Sequence, residues 1–258
     1  MWEAKSMTIA EIDKSSIDSL LVGKVPAIII KRFYSKLACK KLLDEIENQK
    51  TNKFSNDELN HLGPFLMAYT TNKTKYFQDA KNTNQIFNNI FDKIQNPIQK
   101  IHEMFKQIFP KFDVAFANEN RQEYSKCVIR IHEKGKKIPI HKDNVTYEGK
   151  EYNLSNIKNQ LSCVLHLQKS ESGGELTVYD KQWTKKDEKD REIMFGYTDK
   201  VISNYNTCKI SNINQGDMVI INPNYFHSVS EITGETPRIT LGIFLGFYLN
   251  KMKMVSWA

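Results

Sequence analysis

The feature that most constrains the fold of this 258-residue chain is a series of short apolar segments that begins near residue 123. The segments are rich in β-branched residues, and turn signals such as Glu171–Gly174, Gln215–Asp217 and Thr233–Glu235 separate them. The predicted strands are Cys127–His132, Ile138–His141, Leu161–Leu167, Glu175–Tyr179, Thr207–Ile210, Asp217–Ile221 and Arg238–Phe247. About seven short strands after a helical region are typical of a β-sandwich or jelly roll with helices packed outside. We therefore expect an α+β fold.

The first half of the chain has a mixed pattern. Val25–Tyr34 is a short apolar run that suits a buried strand, and Ser35 is a candidate N-cap for the helix that follows. A second helix is predicted from about Asn84 to Phe109, interrupted or bent at Pro97, with an apolar stripe that indicates core packing. We expect one domain over residues 1–258, in which 1–122 form a mixed helical region, 123–248 the strand-rich core and 249–258 a C-terminal tail.

Two separate segments carry the residue types of a metal site. His141 and Asp143 are two residues apart in an extended segment, so both side chains can face one interior. His227 follows the predicted strand at Asp217–Ile221. Two imidazoles and one carboxylate on one octahedral face hold iron(II) and leave three positions open. We therefore predict that His141, Asp143 and His227 bind iron(II).

Arg238 opens the last apolar strand, eleven residues after His227. A 2-oxoglutarate molecule would chelate the iron through its 2-oxo group and the adjacent carboxylate, and dioxygen would take the third position. The far carboxylate then needs a cation, and a guanidinium can bind it through two N–H groups. A charge beside a buried apolar strand is costly without an anionic partner. We predict that Arg238 anchors 2-oxoglutarate.

Taken together, these motifs resemble those of the iron(II)/2-oxoglutarate oxygenases with a double-stranded β-helix core. Within that superfamily, the closest likeness is to the group that contains the small-molecule carbon halogenases that chlorinate indole alkaloids. The resembling stretches are Val128–Gly135, Leu161–Leu167, Ser172–Asp180, Gly216–Ile220, His227–Tyr248 and Val255–Trp257. The resemblance implies a jelly-roll or cupin-like core with N-terminal helices outside. It also implies His141, Asp143 and His227 as iron ligands and Arg238 as the 2-oxoglutarate anchor.

The chain departs from these halogenases at Asp143, where they have a small residue that frees an iron position for chloride. A carboxylate in that position favours hydroxylation instead. We expect a dioxygenase that hydroxylates an unactivated C–H bond of a small molecule, of the amino acid, nucleoside or natural-product type, with succinate and CO2 as coproducts. The alternatives are a peptidyl hydroxylase or nucleic-acid demethylase of the same superfamily, and a non-enzymatic jelly-roll binding module.

Four further residues are candidates to line the pocket. His166 and Arg130 lie on predicted strands, Tyr225 shortly precedes His227, and Trp183 lies in the charged segment 183–198, which we interpret as an insertion loop or lid. Each also has a plainer interpretation as a packed or hydrogen-bonded residue. His61, His102 and His132 are assigned no functional role.

Composition limits the partners and the compartment. The formal charge of +7 could attract nucleic acid or phosphorylated metabolites, but the lysines are spread along the chain, so nucleic acid is not favoured. The four cysteines have no short spacing, as expected of reduced thiols in a cytosolic protein. We see no secretory signal and no apolar stretch that could span a membrane, and we expect a cytoplasmic protein. The sequence does not indicate an oligomeric state.

Overall fold

The computed structural model describes residues 2–50, 60–193 and 196–258. Its α-helices are α1 (Lys14–Leu21), α2 (Lys36–Lys50), α3 (Lys73–Phe91), α4 (Pro97–Ile108) and α5 (Val145–Glu148). Its strands are β1 (Lys5–Met7), β2 (Ile28–Ile30), β3 (Asn60–Leu62), β4 (Asp113–Phe116), β5 (Asn118–Glu119), β6 (Gln122–Glu123), β7 (Val128–His132), β8 (Ile138–His141), β9 (Asn159–Gln168), β10 (Leu176–Gln182), β11 (Arg191–Ile193), β12 (Gly196–Tyr197), β13 (Thr207–Ile210), β14 (Met218–Ile221), β15 (Tyr225–Val229), β16 (Arg238–Tyr248) and β17 (Lys253–Trp257).

Most of these strands form a major and a minor sheet. The major sheet runs β1-β2-β14-β9-β16-β17-β4, and β7 and β3 extend it from the first half of β16. The minor sheet runs β13-β10-β15-β8. The long strand β16 has β9 along one edge, while β7 and then β17 follow its other edge. Both sheets contribute buried side chains to one shared apolar cluster, as in a jelly roll.

Residue alternation along β16 explains how the major sheet is covered. Ile239, Leu241 and Ile243 belong to an apolar cluster that also contains Leu42 of α2 and Phe105 of α4. Their neighbours in the sequence point to the other face, because side chains alternate along a strand. Each large apolar side chain that this cluster buries fully contributes roughly 1.5–3 kcal/mol. One face of the major sheet is therefore packed by helices.

The opposite face of the major sheet meets the minor sheet. Its apolar part contains Ile29, Val219 and Ile221, which pack with Val178 and Val229 of the minor sheet. Along β7, β9 and the start of β16, the same face carries polar and cationic side chains instead of apolar ones. The residues there are Arg130, His132, His166, Arg238 and Thr240. The space between the sheets is therefore apolar on one side and polar and cationic on the other.

Several elements differ from the expectations. The helix predicted from about Asn84 to Phe109 is interrupted before Pro97, one of the two expected outcomes, because the Asn96 side chain caps α4 at Ile98 and Gln99 and Pro97 occupies its first turn. The preceding helix starts eleven residues earlier than predicted, at Lys73. By contrast, the predicted cap at Ser35 is confirmed, since its hydroxyl accepts a hydrogen bond from the Ala38 N–H at 3.1 Å.

Both ends of the chain join the major sheet. Residues 253–257, which were expected in a tail, form β17 between β16 and β4. Residues before 122 supply β1, β2, β3 and β4 in addition to helices. The predicted run Val25–Tyr34 contains β2, which lies between β1 and β14. Among the described residues, no helix is long and apolar enough to cross a membrane.

Candidate active site

His141 and His227 meet because β8 and β15 are antiparallel neighbours in the minor sheet and pair these two residues directly. Their ring centroids are 4.1 Å apart. Asp143 follows β8, and its backbone N–H donates to the Pro223 carbonyl at 2.8 Å, which holds it beside the turn before β15. Its Oδ2 lies 3.6 Å from His227 Nε2 and 4.0 Å from His141 Nε2. The three ligand atoms lie within 4.8 Å of one another.

Local hydrogen bonds orient both imidazoles. His141 Nδ1 lies 2.8 Å from the Pro139 carbonyl, and His227 Nδ1 lies 2.9 Å from the Tyr225 carbonyl. A carbonyl only accepts, so each Nδ1 carries the proton and donates it. This leaves both Nε2 lone pairs available on the side of Asp143. The same backbone contact often fixes the tautomer of a histidine that binds a metal.

Burial and charge keep these groups in their metal-binding protonation states. Burial, together with the proximity of His227, lowers the pKa of His141 to about 4. Burial alone would raise the pKa of Asp143, but its interactions with His227, His141 and Arg130 lower it to about 2. A neutral imidazole and an ionised carboxylate are the forms that bind a metal. Two nitrogens and one oxygen on one side suit iron(II) with open positions.

Arg238 is a second distinctive feature of this region. It starts β16, pairs with His132 of β7 and is only 6% exposed. Its Nη1 lies 3.3 Å from His132 Nδ1, and its buried Nε has no hydrogen-bond partner. Gly174, at φ +77°, leaves room for the side chain, because a Cβ there would lie 3.0 Å from Arg238 Cδ.

The state of Arg238 fits a carboxylate ligand. Burial and the nearby Arg130 lower the pKa of Arg238 to about 10, so it stays charged at neutral pH. Within residues 2–50, 60–193 and 196–258, no carboxylate forms a salt bridge with it. Buried polar groups are normally satisfied, so an orphaned guanidinium N–H indicates a missing acceptor. The far carboxylate of 2-oxoglutarate would supply that acceptor.

Of the four other candidates, two share the polar face of the major sheet. His166 pairs with Thr240, and Arg130 pairs with Thr240 from the other side. Burial, together with the positive charge of Arg238, holds the pKa of His166 well below its usual value, so this imidazole is neutral. Arg130 is close enough to Asp143 for each charge to affect the pKa of the other.

The other two candidates pack elsewhere. The Tyr225 ring lies 6.3 Å from the Trp2 ring, and its hydroxyl occupies the space that a side chain at Gly23 would need. The Trp183 ring packs at a tilt against the Tyr147 ring, with centroids 4.5 Å apart, and its Nε1 donates to Glu188 at 2.8 Å. The segment 183–198, expected as a loop or lid, contains a 3-10 turn at Lys185–Asp190 and the strands β11 and β12, and its residues 194 and 195 lie outside the described part.

Sequence reasoning missed the cluster that surrounds Lys142, which we call the outer cluster: Lys142, Tyr147, Glu148, Trp183, Glu188 and Arg191. The Lys142 side chain is 1% exposed, forms an ion pair with Glu148 and lies 4.5 Å from the Trp183 ring. Arg191 pairs with both Glu148 and Glu188. The position of Lys142 between two predicted ligands was a usable signal, because alternation directs its side chain away from theirs.

Two facing sheets, a His–Asp–His cluster and an orphaned buried arginine define the class of iron(II)- and 2-oxoglutarate-dependent oxygenases. Solved structures agree with this class in fold. An N-substituted L-amino acid dioxygenase from Burkholderia ambifaria AMMD, in complex with alpha-KG, superposes with a TM-score of 0.62 at 14% identity over 98% of this chain and 92% of its own. The alpha-ketoglutarate-dependent carbocyclase SnoK from nogalamycin biosynthesis gives 0.58 at 12% identity, over 94% and 87%.

A sequence match is more specific. The family described as carrier-protein-independent halogenase WelO5 matches residues 5–258, and the chain belongs to this family. It is also 27% identical, over 183 residues, to the leucinostatins biosynthesis cluster protein S of Purpureocillium lilacinum, covering 68% of this chain and 74% of that protein. The protein is thus a 2-oxoglutarate-dependent non-haem iron oxygenase, with Fe(II) as cofactor and 2-oxoglutarate and O2 as cosubstrates.

Proposed function

We propose that this enzyme hydroxylates an unactivated C–H bond of a small molecule, of the amino acid, nucleoside or natural-product type, with succinate and CO2 as coproducts. The observation that carries this proposal is the carboxylate of Asp143, whose oxygen lies 3.6 Å from Nε2 of His227. With a carboxylate as the third protein ligand, chloride has no vacated position on the metal. Hydroxylation is then the expected outcome, although the family is named after halogenases.

Each residue has a defined part in this proposal. His141, Asp143 and His227 hold iron(II) on one face, and Arg238 binds the far carboxylate of 2-oxoglutarate. Bound iron and 2-oxoglutarate supply the oxidising power that breaks the C–H bond. The Pro139 and Tyr225 carbonyls fix the two imidazoles. The buried wall of Arg238, His132 and His166 excludes water and orients 2-oxoglutarate.

The relatives support a small-molecule substrate. One solved neighbour acts on N-substituted L-amino acids, and another is a carbocyclase of nogalamycin biosynthesis. The sequence relative belongs to the leucinostatins biosynthesis cluster. These are properties of those proteins, and they favour a free metabolite over a peptide or nucleic acid as the substrate here.

The test begins with anaerobic addition of 2-oxoglutarate to the Fe(II)-loaded protein. We expect a visible charge-transfer band, since the open positions allow bidentate chelation. On exposure to air with a metabolite panel, at least one compound should raise succinate formation and gain one oxygen atom. A chlorinated product in the presence of chloride, or turnover only with peptides or nucleic acid, would contradict the proposal.

A further inference from the structure

A second guanidinium, that of the half-buried Arg130, lies near the predicted iron ligands. Arg130 is in β7, between His61 of β3 and Thr240 of β16. Its guanidinium carbon is 5.2 Å from the centroid of the Phe65 ring. A Cβ added to Gly242 would lie 2.9 Å from its Nη1. The guanidinium therefore lies over the backbone of β16, against an aromatic ring and on the polar face of the sheet.

Arg130 has no acidic partner among the residues that the structure describes. No carboxylate oxygen of those residues lies within 4 Å of its nitrogens. Asp143 is near enough to raise the pKa of Arg130, but burial dominates and lowers it. Arg130 pairs with Thr240, and Arg238 lies two residues before Thr240 on the same strand, so both arginines are on one face of the sheet and flank a common space. Charges removed from water are normally paired. The buried Arg238 and the half-buried Arg130 have no acidic partner among the described residues, so this space favours anionic ligands.

The net charge of the side chains that face this space indicates how many anionic groups would balance it. Among the described residues, the charged groups that face this space are Asp143, Arg130 and Arg238. Burial lowers the pKa values of His132 and His166, so these imidazoles are neutral, and His141 and His227 count as neutral ligands in the proposed site. Lys31 and Asp217 pair with each other at 2.8 Å. The described residues therefore contribute one net positive charge.

Loading the enzyme leaves this excess in place. Iron(II) and 2-oxoglutarate carry equal and opposite formal charges, so their binding does not change the net charge. One further anionic group would balance it. Because Arg238 accounts for the far carboxylate of 2-oxoglutarate, Arg130 is the cation left for this group.

We propose that Arg130 binds a carboxylate of the substrate, so that this oxygenase selects carboxylic acids. The inference rests on the proposed function and adds the substrate class. A guanidinium binds a carboxylate through two parallel N–H···O bonds. The cation–π contact with Phe65 holds the guanidinium in position, which directs the carboxylate and thereby places the rest of the substrate relative to the iron.

The test compares acids with their neutral analogues in binding. Anaerobic protein loaded with Fe(II) and 2-oxoglutarate is titrated with free and N-acyl L-amino acids and with the primary carboxamide of each. Perturbation of the charge-transfer band and calorimetry report binding without turnover. Wild type, Arg130→Met and Arg130→Lys are compared, and Lys40→Met, which removes one exposed charge on α2, is the matched control.

We expect at least one acid to bind wild type at least about 30-fold more tightly than its carboxamide, the low end for a buried charge pair. Arg130→Met should lose that preference, Arg130→Lys should keep part of it, and Lys40→Met should behave as wild type. The proposal is overturned if no acid binds, if Arg130→Met binds acids as wild type does, or if this variant weakens 2-oxoglutarate by the same factor. Failure of the proposed function differs, because wild type would then show no charge-transfer band or no succinate.

Discussion

At the scale of single residues, Asp143 is the proposed ligand that would determine what the iron can bind besides 2-oxoglutarate. Its backbone N–H is tied to the Pro223 carbonyl, so the carboxylate is held toward His227 rather than left mobile. Hydroxylation by Asp143→Gly should fall by at least about 100-fold, since even outer partners of metal ligands affect affinity 10- to 100-fold. Product analysis with and without chloride measures the loss of hydroxylation. Asp143→Asn removes the charge but keeps a side chain of similar size, so it separates the effect of charge from the effect of the space that glycine opens. A glycine variant that hydroxylates normally would show that Asp143 is not a ligand.

Replacing Arg238 is expected to weaken 2-oxoglutarate binding without lowering the stability of the unloaded protein. Arg238→Met should weaken 2-oxoglutarate binding by roughly 2–5 kcal/mol, because a buried charged contact is lost. The same change removes an orphaned buried cation from the unloaded protein, so its melting temperature without 2-oxoglutarate should stay the same or rise. Titration of the charge-transfer band and thermal unfolding measure the two effects. Unchanged 2-oxoglutarate affinity, or marked destabilisation of the unloaded variant, would contradict this role.

The candidate ligands could be predicted because order and spacing in the sequence reflect strand register. His141 and Asp143 are neighbours in the chain, and Arg238 is fixed as the first residue of an apolar strand. The positions of Arg130 and His132 depend on pairing with β16, more than 100 residues away in the sequence. Tyr225 illustrates the limit of such reasoning, because its ring packs on Trp2 from the other end of the chain. No local pattern could indicate that contact.

At the scale of elements, the outer cluster joins the turn after β8 to the segment that begins at Trp183. Lys142→Met should loosen both neighbouring ligands, since the side chain is buried between Glu148 and Trp183. We expect iron(II) affinity to fall about 10-fold, as for other changes that disturb ligand orientation. Lys181→Met is the matched control, because Lys181 pairs with Asp187 at 3.3 Å without lying between ligands. Equal metal affinity in both variants, measured by anaerobic titration, would rule out this effect.

Strands and helices were predicted correctly where the apolar pattern was strong. They were missed where pairing with a segment distant in the sequence determines the secondary structure. Each of the seven predicted strands overlaps an observed strand. Strand β17 was missed because its residues become a strand by pairing with β16 and β4. The first half of α3 is polar in composition, yet Tyr76, Phe77 and Ala80 are buried at helical spacing and could have indicated it. The conformational outcome of such segments depends on tertiary packing more than on local propensity.

At the scale of the whole molecule, buried neutral histidines make stability depend on pH. His102 of α4 lies 2.7 Å from the Ser256 hydroxyl of β17, and burial lowers its pKa to about 4. The unfolded chain, with an ordinary histidine pKa near 6.5, binds more protons between these values, so stability present above pH 6.5 is lost as pH falls toward 4. His102→Gln should reduce the slope of unfolding free energy against pH by up to about 1.4 kcal/mol per unit. Urea unfolding of the unloaded proteins between pH 7 and pH 5 measures this, and an unchanged slope would contradict it.

The space between the two sheets has an apolar side and a polar, cationic side, and this separation affects how such an enzyme can acquire new substrates. Ile29, Val178, Val219 and Val229 join the two sheets on one side of that space. The arginines and histidines on the other side contribute little to the packing of the two sheets. Without bound anions, the arginine charges lower the stability of the fold. Substitutions on the polar side of this space are therefore expected to change reactivity while the protein stays folded. Changes of the same volume on the apolar side would lower the free energy of unfolding directly. A scaffold of this kind can explore new substrates at little structural risk, which is the physical basis of its evolvability.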